Sequence, residues 1–222
     1  MVEIMRNDFR YPALLKEIDR APSRLYCYGD VSFLSMKSIT IVGTRKITDY
    51  GIKVINLILP SFLSKLDVVI VSGLALGVDA EVHRVCLRRG IKTLAIVPGG
   101  ICTAIPKANM GMYNLLRKKG LILAEFPEGV KLHKGMYSMR NRLLAGISDT
   151  TILIEAGLNS GSLHTARYAL EYGRDIYVVP GRIDSVSSQG CNMLLAEGAE
   201  VVRGVNTMKE ILSIREEQLL LK

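Results

Sequence analysis

Six short runs of apolar and β-branched residues recur along the chain, at 39–42, 68–71, 93–97, 121–124, 151–155 and 176–179, with helical stretches between them. Runs of four or five such residues suit strands buried on both faces, as in a parallel sheet covered by helices. Between two of them, residues 77–89 place Val78, Val82, Val85 and Cys86 on one side and Asp79, Glu81, Arg84 and Arg88 on the other, the spacing of an amphipathic helix. Helices are also expected over 48–65, 107–119 and 162–172. A last helix is expected from Thr207, where Thr207 and Glu210 form a capping-box pair. Strand and helix in alternation mean right-handed crossovers in one sheet. The fold class is therefore α/β: a Rossmann-like, mostly parallel sheet with helices on both faces.

At 222 residues the chain buries a sizeable core without staples. We divide it into an N-terminal extension packed on the core (1–38), a Rossmann-like domain (39–205) and a C-terminal helix (206–222) with an apolar end at 219–221. In the extension, Pro12 is expected to open a short helix and residues 25–28 to add an edge strand. Cys27, Cys86, Cys102 and Cys191 lie far apart, with no Cys-x-x-Cys and no ligand spacing to the three histidines. Reduced thiols are expected, with no zinc site, no other metal and no disulfide framework. The first residues carry charges where a signal peptide needs an apolar core. The longest apolar run, near 52–66, is broken by Asn56, Pro60 and Lys65, so no membrane span is expected. These features place the chain in the cytoplasm.

Open parallel sheets bind ligands beyond the carboxyl ends of their strands. After the first run come Gly43, Thr44 and Arg45: a tight turn, then a cationic fork suited to phosphate, or else a plain turn with a solvated arginine. After the second come Ser72 and Gly73, leading through Gly77 to Asp79 at a helix N-terminus, where exposed N–H groups favour an anion. Asp79 reads more readily as a cap, and His83 as a structural histidine. After the fifth run, Ser160, Gly161 and Ser162 offer an anion nest or a simple serine cap.

A basic stretch, 133–142, contains Lys134, Tyr137, Arg140, Asn141 and Arg142. Cations interleaved with an aromatic ring describe a single-strand platform, with phosphates on the cations and a base on Tyr137. A solvated basic helix with Tyr137 half in the core is the alternative. Basic residues outnumber acidic ones, 29 to 21, for a net charge of +8, which favours an anionic partner such as nucleic acid or is ordinary solubility charge. Glu125 and Glu155 stand at strand ends, but nothing in the sequence sets their separation. No nucleophile elbow, metalloprotease motif or Cys–His pair occurs. An enzymatic role is not expected, nor is a cofactor.

With these residues in place, the chain resembles the DprA/Smf family of DNA-processing proteins. The words that carry the likeness are Asp8-Phe9-Arg10-Tyr11-Pro12, Ile41-Val42-Gly43-Thr44-Arg45, Val71-Ser72-Gly73-Leu74-Ala75-Leu76-Gly77-Val78-Asp79, Glu125-Phe126-Pro127, Arg140-Asn141-Arg142, Ser160-Gly161-Ser162-Leu163, Val179-Pro180-Gly181 and Gly190-Cys191-Asn192. The resemblance implies a homodimer that binds single-stranded DNA, helps load a RecA-type recombinase and has no catalytic turnover. It implies a DNA pocket at Gly43, Thr44 and Arg45, with Lys134, Tyr137, Arg140 and Arg142. It covers the family's core; the helical and winged-helix domains that often flank that core are not expected within these residues. Where the family has Phe-Pro, this chain has Tyr137-Ser138, and Ile105 replaces an aromatic before Pro106. Two rival readings are a nucleotide-processing enzyme of the lysine-decarboxylase-like phosphoribohydrolase group, suggested by 98–103, and a nucleotide-sensing module. In the first, Cys102 and Pro106 stand where that group has a glycine and a glutamate.

Overall fold

The computed structural model describes residues 1–102 and 106–213. The elements run β1 (Val2–Met5), α1 (Ala13–Glu17), β2 (Arg24–Gly29), β3 (Lys37–Val42), α2 (Asp49–Ile58), β4 (Val68–Ser72), α3 (Val78–Arg89), β5 (Thr93–Gly100), α4 (Met110–Lys119), β6 (Leu121–Phe126), α5 (Gly135–Gly146), β7 (Thr150–Leu153), α6 (Ser162–Glu171), β8 (Asp175–Val178), α7 (Gln189–Ala196), β9 (Glu200–Val201) and α8 (Val205–Ile211). All nine strands lie in one sheet, in the order β1-β2-β6-β5-β4-β3-β7-β8-β9. From β6 to β9 every pairing is parallel, while β1 and β2 join antiparallel. The fold is the Rossmann-like α/β class that the alternation of runs predicts.

Strand periodicity divides the core. Val69 and Val71 pack with Leu143, Leu144 and Leu163 on one face, among residues of α1, α5, α6 and α7. Val68 and Ile70 point the other way, to Ile55, Val82, Val85 and Met208 of α2, α3 and α8. Cys27, Cys86 and Cys191 are buried in these layers.

The expectations fail at four places. The expected helix over 48–65 is two pieces, because Pro60 supplies no N–H to continue α2 and opens a 3₁₀ turn at Ser61–Lys65. The strand at 25–28 is not an edge, since β1 covers it. On α3, Glu81 is buried rather than solvated and pairs with Arg84. Thr207 does not cap α8. The helix starts at Val205 after Gly204, and the Thr207 hydroxyl accepts from the Arg203 N–H at 2.7 Å while Glu210 pairs with the Arg203 guanidinium. The apolar stretch 219–221 and residues 103–105 lie outside the described residues. No described helix is long and apolar enough to cross a membrane.

Candidate functional site

After β3 the chain moves outward through β4, β5 and β6, then crosses back along α5 to place β7 on the other side of β3. The order reverses there, so the loops after β3 and β7 diverge and leave a crevice. A cleft of about 1030 Å³ opens at this point. One wall is the β3–α2 turn from Gly43 to Lys46, and another is the loop after β7 with the start of α6, from Gly157 to Ser162. The first turns of α5 add Lys134, Tyr137, Ser138 and Asn141.

The Gly43 turn is shaped by packing. A Cβ on Gly43 would lie 2.7 Å from Val78 Cγ2 and 3.0 Å from the Glu155 carbonyl oxygen. Its backbone groups are already engaged: the Thr44 N–H donates to the Glu155 carbonyl at 2.7 Å, and the Thr44 carbonyl accepts from the Val78 N–H at 3.0 Å. The turn therefore caps α3 rather than offering free donors. Arg45, by contrast, is exposed, and its guanidinium carbon lies 5.3 Å from the centroid of the half-buried Tyr137 ring. That distance is within cation–π range. Lys46 and Lys134 are exposed as well. Among the described residues, none of these three cations pairs with a carboxylate. Their charge is available to a ligand.

Four of the expected site residues turn inward. Ser72 is fully buried and its hydroxyl donates to the Ile41 carbonyl at 2.7 Å. Gly73 is buried, with a carbonyl that accepts from Arg140 Nη1. Arg140 also donates to the Ile96 carbonyl at 2.9 Å and, through Nε, to Asn141 Oδ1 at 3.1 Å. It borders the cleft, but its guanidinium ties α5 to the ends of β4 and β5. Arg142 lies outside the cleft, paired with Glu125 beneath the surface. Burial raises the Glu125 carboxyl above its usual range, and the Arg142 charge opposes that rise. An arginine taken from water needs such partners to be tolerated, so these two serve the fold. The loop 72–79 is likewise no anion nest: Thr44 covers the first N–H of α3, and Asp79, buried beside Arg140, accepts from the Ala75 N–H.

The serine turn is only partly open: Ser162 is buried, and the Ser160 N–H donates to the Gly157 carbonyl at 2.9 Å. Ser160 Oγ and Ser162 Oγ lie 2.8 Å apart, and the Ser162 N–H reaches Ser160 Oγ only at 3.4 Å. Gly161 is exposed, with open space where a side chain would stand. Asn141 Nδ2 donates to the Gly161 carbonyl at 3.2 Å, which locks the start of α6 to α5. Sequence reasoning missed Lys46, Ser138, Leu158, Val186 and Gln189, which also line the cleft. Lys46 and Ser138 are neighbours of residues already singled out. Val186 and Gln189 reach the cleft only because α7 packs on β8, and no local pattern marks them.

Glu125 and Glu155 do not form a pair. Glu125 lies near the end of β6 and Glu155 follows β7, four strand positions apart, or about 19 Å at the usual inter-strand spacing. Glu155 is buried and accepts from the Thr48 N–H at 2.9 Å and the Thr48 hydroxyl at 2.6 Å. His83 is fully buried, with Nδ1 2.8 Å from Thr93 Oγ1, and desolvation lowers its pKa to about 3. It stands as a structural histidine. Among the described residues no group of three His, Cys, Asp or Glu side chains could hold a metal.

The sequence profile of the DNA recombination-mediator protein A family matches residues 3–213. The chain belongs to this family. Protein Smf of Synechocystis is 37% identical over 91% of the chain, and the chain spans about half (52%) of that relative's length. Among solved structures, DNA processing protein A of Streptococcus pneumoniae superposes with a TM-score of 0.88 at 34% identity, over 97% of this chain and 74% of that one. DNA processing protein A of Helicobacter pylori, described for its single-stranded DNA binding mode, gives 0.83 at 31% identity over 95% of both chains. The match to the family thus runs from the antiparallel β1–β2 pair through α8.

Proposed function

We propose that the switch-point cleft binds single-stranded DNA, with backbone phosphates on Arg45, Lys46 and Lys134 and at the Ser160-Gly161-Ser162 turn, and with a base against Tyr137. The observation that carries this reading is three exposed, unpaired cations beside a half-buried aromatic ring on one cleft. Charge fixed next to a flat ring suits a strand whose bases are accessible. The cleft is at the upper end of the usual small-molecule range of about 300–1,000 Å³, which suits an extended ligand over one mononucleotide. The H. pylori relative, solved for its binding of single-stranded DNA, supports the same choice. Arg140, Arg142, Ser72 and Gly73 act in this reading by holding the walls, and Asn141 by joining α5 to α6.

On the strength of the family, we extend the reading to a cytoplasmic homodimer without catalytic turnover that protects incoming strands and passes them to a RecA-type recombinase during recombination. Titration of a labelled oligonucleotide by fluorescence anisotropy tests the core of it. Single strands are expected to bind more tightly than duplex of the same length. The logarithm of affinity should fall with log salt at a slope near −2, about −0.7 for each of three neutralised phosphates. Equal affinity for the two forms, or a slope near zero, would overturn the proposal. Stimulation of recombinase filament assembly on the same strand tests the extension, and release of base from a nucleoside monophosphate would favour a hydrolase instead.

A further inference from the structure

The net charge of the chain is not spread along it. Residues 82–124 contain eight lysines and arginines and no aspartate or glutamate, so the whole of the +8 lies in this stretch and the remaining residues carry 21 charges of each sign. Four of the eight are held by the fold. Arg84 pairs with Glu81 and Lys92 with Asp67, while Arg88 donates to Asn56 Oδ1 at 2.6 Å and Arg89 to the Asn56 carbonyl at 2.7 Å. The other four, Lys107, Arg117, Lys118 and Lys119, belong to α4 and the turn before it. All four are exposed, and among the described residues none pairs with a carboxylate.

Arg117 repeats the arrangement found at the cleft. Its guanidinium carbon lies 4.5 Å from the centroid of the half-buried Tyr28 ring and 5.9 Å from that of Tyr113. Lys118 and Lys119 follow it in the last turn of the helix. A helix C-terminus favours cations through its dipole, but the dipole does not set a ring beneath one of them. Glu128 Oε2 lies 3.5 Å from the Tyr28 hydroxyl, at the end of the ring, and forms no ion pair with Arg117. The helix also starts at the cleft. Asn109 Nδ2 donates to the carbonyls of Leu74 and Ala75 at 3.0 Å, and Ala75 lines the cleft. Arg45 and Tyr137 divide that cleft from a smaller hollow of about 340 Å³, lined also by Pro106, which directly precedes Lys107. From there Lys107, Gly111, Asn114 and Lys118 recur at helical spacing and are all exposed, with open space where a Gly111 side chain would stand. Asn109 and Arg117 are about 12 Å apart along the axis, the length of about three or four stacked nucleotides.

We propose that α4 is a second track for single-stranded DNA, carrying the part of the strand that leaves the cleft, with phosphates on Arg117, Lys118 and Lys119. The inference rests on the proposed binding in the cleft. A guanidinium already held on a ring loses little freedom when it meets a phosphate. Continuity with the cleft favours the same strand over an acidic protein segment, and the charge favours any polyanion over an apolar partner.

Strand length tests the track. Anisotropy titrations compare an oligothymidylate of about six nucleotides, enough to fill the cleft, with one of about twelve. In the unaltered protein the longer strand is expected to bind about tenfold more tightly or better. Its slope of log affinity on log salt should steepen from about −2 to about −4, as three more phosphates are neutralised at about −0.7 each. In the combined variant Arg117→Ala, Lys118→Ala and Lys119→Ala, the short strand is expected to bind as before and the longer strand to lose its gain in both affinity and slope. A gain from length that survives in the variant overturns the track, as does an equal loss for both strands. A short strand that binds with no gain from length overturns the track alone and leaves the cleft reading intact. A polyglutamate peptide that binds the unaltered protein as tightly as the longer strand, and the variant not at all, assigns the face to a protein partner and overturns it too. Failure of both strands to bind defeats the cleft reading and the track together.

Discussion

Arg140 donates from Nη1 to the carbonyl of Gly73 at 2.5 Å, so a guanidinium from α5 closes the gap left by the missing side chain at the end of β4. A Cβ at position 73 would lie 2.0 Å from that nitrogen and 2.6 Å from Asp79 Oδ2. Gly73→Ala is therefore expected to displace Arg140 and to destabilise the fold by about 2–4 kcal/mol, the combined scale of overpacking and a lost buried hydrogen bond. Urea unfolding checks this. A midpoint equal to that of the unaltered protein would show that Arg140 has room to move.

The two kinds of arginine should separate in mutagenesis. Arg45→Ala removes an exposed cation with no carboxylate partner, so we expect single-stranded DNA affinity to fall at least several-fold while the melting temperature stays within about 2 °C. Arg142→Ala leaves Glu125 with no counter-charge beneath the surface and should cost about 3–5 kcal/mol of stability. The paired change Arg142→Met with Glu125→Leu should recover much of that loss. Measuring unfolding and binding on all three variants decides whether position 142 serves fold or ligand.

Tyr137 divides two cavities and stacks beneath Arg45. Tyr137→Ala is expected to weaken binding of a single strand by about 1–3 kcal/mol, and Tyr137→Phe by much less, because the contribution comes from the ring face. Equal losses in the two variants would mean that the hydroxyl is what binds.

Buried His83 makes a pH prediction. Its folded pKa is lowered to about 3, against about 6.5 for the unfolded chain. The unfolded state takes up the proton first, so this group's contribution is present above pH 6.5 and is lost as pH falls toward 3, by up to about 1.4 kcal/mol per pH unit. Glu125 and Asp79 have raised carboxyl pKa values, and by the same linkage they act in the opposite sense, favouring the folded state on acidification. Comparing His83→Gln with the unaltered protein isolates the histidine. The difference in unfolding free energy between the two should change between pH 7 and 5.5, and a constant difference would show that His83 protonates in place.

The 133–142 segment shows how far the sequence reaches. Taken as a string, all its cations look equally free. As the helix that the structure reveals from Gly135, it has sides: Lys134, Tyr137, Ser138 and Asn141 follow the i, i+3, i+4, i+7 rule and meet the cleft, while Arg140 and Arg142 join the buried side with Leu143 and Leu144. Reading that periodicity would have warned against Arg140. It would not have found Glu125 for Arg142 or the Gly73 carbonyl for Arg140, because those partners sit on other strands.

The sequence by itself determined the alternation of buried strands and helices, and hence a mostly parallel sheet with its loops at one edge, because short β-branched runs set between amphipathic helices bury both their faces when the helices cover them. It also marked the Gly43–Arg45 turn and the basic stretch. Only the tertiary structure decided that β7 lies beside β3, which opens the cleft between two loops distant in the chain. It also decided which arginines face solvent. A guanidinium goes inside only where backbone carbonyls or a carboxylate from other elements replace its water, and those partners come together only when the chain folds.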